Sequence, residues 1–370
     1  MNARSTPILP NPAAARRLLR AGLPAAALLA LAACGSGSEA PAPPPAPTAV
    51  SISAANQDAV ARAAANTVVS AGTVGAVAPL AVDGRVTAAA KLGLGTAAAP
   101  SLDGAGSVTA VLQRLGRFAL AAGRPSAAAA DAVRVLAVTT QTTACAVSGT
   151  LTISVNDADN SGTLNGGDSI GFAFAACKPT ATEMINGSMT LTVTTASANA
   201  VAGALSFAAL GATGPDGSFS INGSVSLSYT EVGTLATYQM VIGAGGLSTA
   251  VVTPQYSDTL TLGGGFEQTV TYDSAALPPG STVAGLGTAR VNGTISATSL
   301  GGTVTLATTA PFQQYEIDAY PRAGQLRASG ANGSAVRLTA LSATTVRIEL
   351  DANGDGTYEQ SREVPWAALI

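Results

Sequence analysis

INGSMTLTV (185–193) decides the fold class, because its side chains alternate between apolar and polar. Successive side chains of an extended strand point to opposite faces of a sheet, so this period of two predicts a β-strand with one packed and one wet face. Three more segments repeat the pattern in the same phase, each with Gly in third place: VSGTLTISV (147–155), INGSVSLSY (221–229) and VNGTISATS (291–299). Such segments are typical of antiparallel sheets.

The spacing of these four segments predicts how the strands are connected. Their starts are 38, 36 and 70 residues apart, which favours a meander over a strict solenoid. The shared Gly predicts a bend or the close approach of another backbone. More alternating runs follow at 235–242, 266–272, 303–308 and 345–350. Residues 141–370 are therefore predicted to form a mainly β domain, a large curved antiparallel meander that is half-barrel or barrel-like.

Residues 51–140 have a different, Ala-rich composition and helical signals. In 56–69, Asn56 is a candidate N-cap and Asp58 lies in the first turn. Apolar residues recur at helical spacing in 107–120, and Ser126 can cap a further helix that reaches position 138. We expect these helices to cover an apolar face or an open end of the sheet.

Composition excludes several function classes. The chain has no His, which rules out Ser-His-Asp and Cys-His nucleophile systems and every His-ligated metal site. The formal net charge is −3, from 18 basic and 21 acidic residues, and no basic cluster is visible. We therefore expect no nucleic-acid partner.

The amino terminus carries an export signal. Arg16, Arg17 and Arg20 precede the apolar run AGLPAAALLALAA (21–33), and LAAC occupies 31–34. The apolar run is too short to span a bilayer, so 1–33 is interpreted as a cleaved signal peptide. The LAAC sequence resembles the lipobox of bacterial lipoproteins, and the alternative is an ordinary signal peptide followed by a chance Cys.

The lipobox resemblance implies that Cys34 is lipidated and that the mature chain is anchored to a membrane. Gly35 stands where proteins retained at the inner membrane often carry Asp, which implies the outer membrane. Residues 34–50 then form the lipidated Cys and a Pro-rich tether. Two cysteines remain, Cys145 and Cys177, and an even pair in an oxidising compartment predicts a disulfide. The competing interpretation is two buried free thiols.

A polar stretch, NDADNSGTLNGGDS (156–169), has the spacing of a calcium loop. Counted from Asp157 as position 1, Gly162 occupies position 6, where the chain must turn sharply. Oxygen ligands fall at positions 1, 3, 5, 7, 9 and 12, namely Asp157, Asp159, Ser161, the Thr163 carbonyl, Asn165 and Asp168. It resembles the EF-hand and dockerin-type loop, which implies structural Ca²⁺. Position 12 is Asp and position 5 is a neutral Ser, and the flanks are strands. The alternative is a polar hairpin loop without metal.

A second acidic loop, DANGDGTYE (351–359), offers Asp351, Asn353, Asp355, Thr357 and Glu359. Its twelfth position is Arg362, a poor ligand, although Glu363 is adjacent. A calcium site and a solvated turn are equal alternatives here. In either case we expect a structural role, because no nucleophile or base lies nearby in the sequence.

The whole pattern resembles uncharacterised outer-membrane lipoproteins of proteobacteria. This resemblance rests on no specific motif and implies no particular activity. We expect a non-enzymatic, lipid-anchored envelope protein of structural or binding type, stabilised by calcium and a disulfide. One alternative is a carrier that holds an apolar ligand between sheet and helices. The other is a polysaccharide-active enzyme with a carboxylate pair, drawn from Glu183, Glu231, Glu267 and Glu316.

Overall fold

The computed structural model describes residues 48–74, 139–161, 165–197, 199–215, 217–254 and 257–370. The predicted signal peptide, Cys34 and nearly all of the tether lie outside these ranges. So do the helices predicted at 107–120 and 126–138, and three loop residues, Gly162, Thr163 and Leu164.

Fifteen antiparallel strands form one sheet in the described part of the chain. The order follows the sequence from β1 to β8 and from β10 to β15, while β9 pairs with β7 and β10. The predicted mainly β meander is confirmed. The strands are β1 (Thr139–Ala144), β2 (Ser148–Asn156), β3 (Ser169–Lys178), β4 (Met184–Ala196), β5 (Ala200–Gly214), β6 (Gly217–Val232), β7 (Leu235–Val252), β8 (Ser257–Leu262), β9 (Glu267–Asp273), β10 (Leu286–Ala297), β11 (Gly302–Tyr315), β12 (Ala323–Ser329), β13 (Ala335–Ala340), β14 (Thr345–Asp351) and β15 (Gln360–Pro365).

The four repeated segments lie in β2, β4, β6 and β10, with small departures from the predicted pattern. Val147, expected on the packed face, precedes β2 and is 55% exposed. The last residues of the fourth segment leave the sheet, because Thr298–Leu300 form a 3-10 turn. In the second, third and fourth repeats, the residue before Asn-Gly is buried as expected, namely Ile185, Ile221 and Val291.

In the second and third repeats, the Asn of the Asn-Gly pair binds the backbone of a β-bulge in the preceding strand. Asn186 Oδ1 accepts a hydrogen bond from Ala176 N at 2.8 Å, and Asn222 Oδ1 accepts one from Ala209 N at 3.1 Å. Both alanines have a φ of +46°, and the strand register shifts beside each. A non-Gly residue with positive φ is strained, so the Asn side chain helps to fix a costly backbone conformation.

The glycine of each of the first three repeats lies against a backbone carbonyl of a bulge in a neighbouring strand. A Cβ placed on Gly149 would lie 2.0 Å from Ala176 O, and one on Gly187 would lie 2.2 Å from Ala209 O. On β6, a Cβ at Gly223 would lie 2.2 Å from Gly246 O. The close backbone approach predicted from the shared Gly is therefore confirmed. These contacts form a line of bulges across β2 to β7, which we call the bulge line.

The carboxy-terminal strands curl around a core that is closed by Trp366. The Trp366 ring lies 6.4 Å from the ring of Phe312 on β11, centroid to centroid, although Trp366 directly follows β15. In a flat sheet, β11 and β15 would be four interstrand spacings, or about 19 Å, apart, so the short ring distance shows that the sheet curls here. Trp366 is fully buried and stacks on Tyr320, so it anchors the packing of this core.

One helix, α1 (Gln57–Val74), packs against β9 to β13. It buries Val60, Ala61, Ala64 and Val68, which recur at helical spacing. Asn56 does precede the helix, but its Oδ1 accepts from Ser53 N at 2.8 Å, so it fixes the preceding turn. The helix covers the core of the carboxy-terminal strands, as expected for the Ala-rich region, and it extends five residues past the predicted end at 69.

Replacing Gly187 with Ala tests the bulge line. The new Cβ would meet Ala209 O in a backbone conformation with φ of +91°, so we expect the free energy of unfolding to fall by about 3 kcal/mol or more. Gly233→Ala is the matched control, because Gly233 also has positive φ but no atom within 4 Å of its Cβ position. It should cost only about 1 kcal/mol. Equal urea midpoints for the two variants would contradict the proposed role of the close contact.

Candidate metal centres

The predicted disulfide is present and closes one end of the β2–β3 hairpin. Cys145 and Cys177 are joined, with their Cα atoms 5.4 Å apart. Cys177 lies in β3, whereas Cys145 lies in the turn between β1 and β2, where its N–H donates to Gly149 O. The bond therefore ties β1, β2 and β3 together, and the candidate calcium loop lies at the opposite end of the hairpin.

That first loop connects Asn156 to Ser169, the last register pair of β2 and β3. Its carboxylates organise the backbone. Asp168 accepts from Ala158 N at 2.9 Å and from Asn165 N at 2.6 Å, and Asp157 accepts from Ser161 N at 3.0 Å. The Asp168 backbone continues the sheet, because its carbonyl accepts from Val193 N on β4. The loop is thus built onto the sheet rather than projecting from it.

The structure brings together five of the six predicted ligand residues of this loop. One oxygen of each of Asp157, Asp159 and Asp168 lies within 4.8 Å of the others. Asn165 Nδ2 donates to Asp159 and to Ser161 Oγ, the latter at 2.7 Å. Thr163, whose carbonyl was predicted as the sixth ligand, lies outside the described residues.

These distances fit a calcium ion. Calcium binds oxygen at about 2.4 Å, so ligands on opposite sides of one ion lie about 4.8 Å apart. All the side-chain donors are hard oxygens, as calcium prefers. The Asn165 amide presents its nitrogen to Asp159 and would have to turn over to present its oxygen to an ion, a rotation that leaves the shape of the side chain unchanged.

Negative charge is concentrated in this loop. Asp157 and Asp168 are 2% and 1% exposed, and the sequence has no Lys or Arg between positions 135 and 177. Hydrogen bonds from Asn165 and then Ser161 lower the pKa of Asp159 below its usual value, so this carboxylate is charged at neutral pH. Like charges at such distances repel each other, and a divalent cation would relieve that repulsion.

The second acidic loop, 351–359, forms a similar cluster at the other end of the sheet. Single oxygens of Asp351, Asp355 and Glu359 lie within 4.8 Å of one another. Asp351 is fully buried and accepts from Gly354 N at 2.7 Å and from Gly356 N at 3.0 Å. Thr357 N donates to Asp355 at 2.7 Å, and this bond, followed by that of Asn353, lowers the pKa of Asp355.

Two arginines lie close to the second loop, whereas the sequence around the first loop contains no basic residue. The Arg337 guanidinium lies 3.9 Å from the centre of the Tyr358 ring and pairs with Glu349. Arg362, the residue at the twelfth position, pairs instead with Asp58 on α1. Both arginines are thus paired with acids outside the loop. Position 12 is Asp168 in the first loop and Arg362 in the second, which favours a metal site at the first loop.

The four glutamates considered for a carboxylate pair each accept a hydrogen bond from a side chain other than a carboxylate. Glu231 accepts from Tyr229 OH at 2.8 Å and Glu316 from Tyr272 OH at 3.0 Å. Glu267 accepts from Gln239, and Glu183 from Thr180. Sequence reasoning missed the two Tyr–Glu pairs. Alternation along β6 places Tyr229 and Glu231 on one face, so this pair could have been predicted. The Tyr272–Glu316 contact, between β9 and the loop after β11, has no signal in the local sequence.

Two further observations bear on the nature of the chain. Among the described residues, no helix has both the length and the apolar character needed to span a bilayer. Comparison with known proteins finds no matching family model, no matching curated protein and no matching solved structure.

Proposed function

We propose that this chain is a lipid-anchored envelope protein of structural or binding type, attached to the outer membrane through Cys34, in which Ca²⁺ stiffens the β2–β3 hairpin. The first acidic loop carries the calcium part of the proposal. It gathers three carboxylates within 4.8 Å, two of them buried, in a stretch of sequence without a basic residue. The proposed lipid anchor is inferred from the LAAC sequence at 31–34.

The proposed ion and the disulfide would act on opposite ends of the same hairpin. The disulfide restrains the end at Cys145 and Cys177, and the ion would restrain the connection between Asn156 and Ser169. Asp168 also pairs with β4 through its backbone. An ion at this loop would therefore link β2, β3 and β4, and its contribution is to stability rather than to chemistry.

Calcium binding is tested by titrating Ca²⁺ into the purified, EGTA-treated full chain in a calorimeter. We expect binding heat and a higher melting temperature, because a ligand at 100 times its Kd stabilises the folded state by about 2.7 kcal/mol. Asp157→Asn together with Asp168→Asn should remove both effects, since neutral amides are weaker calcium ligands. Asp273→Asn, an acid outside both loops, is the control.

Two results would count against this assignment. The first is the absence of heat and of any thermal shift in the unsubstituted chain. The second is retention of both in the Asp157/Asp168 variant with their loss in Asp351→Asn, which would move the site to the second loop.

The anchor is tested by expressing the chain in a two-membrane bacterium. We expect the unsubstituted chain in the membrane fraction, with a mature amino-terminal peptide that begins at Cys34 and carries acyl chains in the mass spectrum. Cys34→Ser should lose the acyl mass and be released from the membrane, because the thiol is the attachment point. A soluble unsubstituted chain, or a Cys34→Ser variant that stays in the membrane, would overturn the anchor.

A further inference from the structure

Exposed aliphatic side chains are concentrated at one end of the sheet. Nine large apolar residues are exposed among the described residues, and six of them lie on four turns at the end that also carries the first acidic loop. We call this set the aliphatic rim: Val232, Leu235, Leu277, Val283, Ile317 and Leu341. Isolated exposed apolar residues are ordinary, but a contiguous group marks an interaction surface.

Hydrogen bonds join the four turns of the rim into one surface. Ser274 N donates to Thr234 O at 2.9 Å, which links the β9–β10 loop to the β6–β7 turn. Glu316 N donates to Gly285 O at 3.0 Å, which links the β11–β12 loop to the β9–β10 loop.

Trp366 provides the remaining link between the turns of the rim. Its indole N–H lies 3.1 Å from Pro321 O and 3.3 Å from Ser342 O, so it bridges the β11–β12 loop and the β13–β14 turn. The exposed side chains are thus held on a connected framework, and a partner would meet a preformed surface.

The rim also carries excess negative charge. Segments 231–235, 273–285, 316–322 and 341–344 contain four acids, Glu231, Asp273, Glu316 and Asp318, and one base, Arg322. Arg322 is bound to Asp318 through two hydrogen bonds, of 2.7 and 2.6 Å. Three carboxylates therefore remain without a compensating cation within these segments.

Two of these carboxylates accept hydrogen bonds from tyrosine hydroxyls: Glu231 from Tyr229 and Glu316 from Tyr272. Burial, and then the neighbouring Glu316, raise the pKa of Tyr272 to about 12. Burial and Glu231 raise the pKa of Tyr229 to about 12 in the same way. Both tyrosines therefore stay neutral hydrogen-bond donors at physiological pH.

We propose that the aliphatic rim is a docking surface for a protein segment that presents apolar side chains flanked by Lys or Arg. The apolar side chains would cover the rim, and the basic ones would meet the uncompensated carboxylates. An anionic membrane surface and a second copy of the same acidic rim would both be repelled. The inference uses neither the anchor nor calcium, so it stands or falls separately from the proposed function.

The test measures binding of fluorescein-labelled peptides to the purified full chain by fluorescence anisotropy. The probe is a peptide of about 14 residues that alternates Leu and Lys. Two further peptides replace either Leu by Ser or Lys by Glu. We expect the Leu–Lys peptide to bind at least about tenfold more tightly than either, because both the apolar and the charged contacts are needed.

Matched variants locate the binding. Val232→Ser with Leu277→Ser removes two rim side chains, and Val147→Ser with Val252→Ser removes two exposed side chains at the opposite end of the sheet. The rim pair should weaken Leu–Lys binding at least about fivefold, and the opposite pair should leave it within about twofold.

Three outcomes would overturn the proposal. The first is equal binding of the Leu–Lys and Leu–Glu peptides. The second is equal loss in both variant pairs. The third is a different occupant, seen as rim-dependent binding to phosphatidylcholine vesicles or as a rim-dependent dimer in light scattering, without preference for the basic peptide.

Discussion

The amino-terminal half of the sheet depends on the fit between a glycine and the carbonyl of a neighbouring bulge. At Gly187 and Gly149 there is no space for a Cβ, and the bulged alanines opposite them adopt a backbone conformation that L residues rarely tolerate. Asn186 and Asn222 then bind the N–H groups of those alanines. Because each repeat supports the next, the bulges form a line, and a sheet bends where bulges are aligned.

The remaining features are arranged around that bent sheet. The carboxy-terminal strands curl until Trp366 reaches Phe312, and α1 packs on the core they enclose. The amino-terminal strands instead carry a disulfide at one end of the β2–β3 hairpin and a cluster of carboxylates at the other. Buried apolar residues of the amino-terminal strands, such as Ile185, Leu205 and Phe207, belong to the same core cluster, and the disulfide adds a covalent link at the end of the β2–β3 hairpin.

Sequence periodicity was sufficient to predict the mainly β fold and the meander, because both depend on local patterns, whereas the disulfide was predicted from the even number of remaining cysteines. It could not show that Asn186 binds Ala176, since that contact needs the register of two strands. The Trp366–Phe312 contact was hidden for the same reason, as the two residues are 54 positions apart in the chain. Loop spacing predicted that Asp157, Asp159 and Asp168 converge, and they do, but the aliphatic rim brings together turns that are remote in sequence.

Residues 48–50 mark the point at which the described chain first joins the sheet. Thr48 O accepts from Thr303 N at the start of β11, and Val50 O accepts from Ala331 N in the turn after β12. Both contacts lie at the end of the sheet opposite Val232 and Leu277. The first sheet contacts of the described chain and the proposed docking surface therefore lie at opposite ends of the sheet, so the chain enters this part of the fold away from the aliphatic rim.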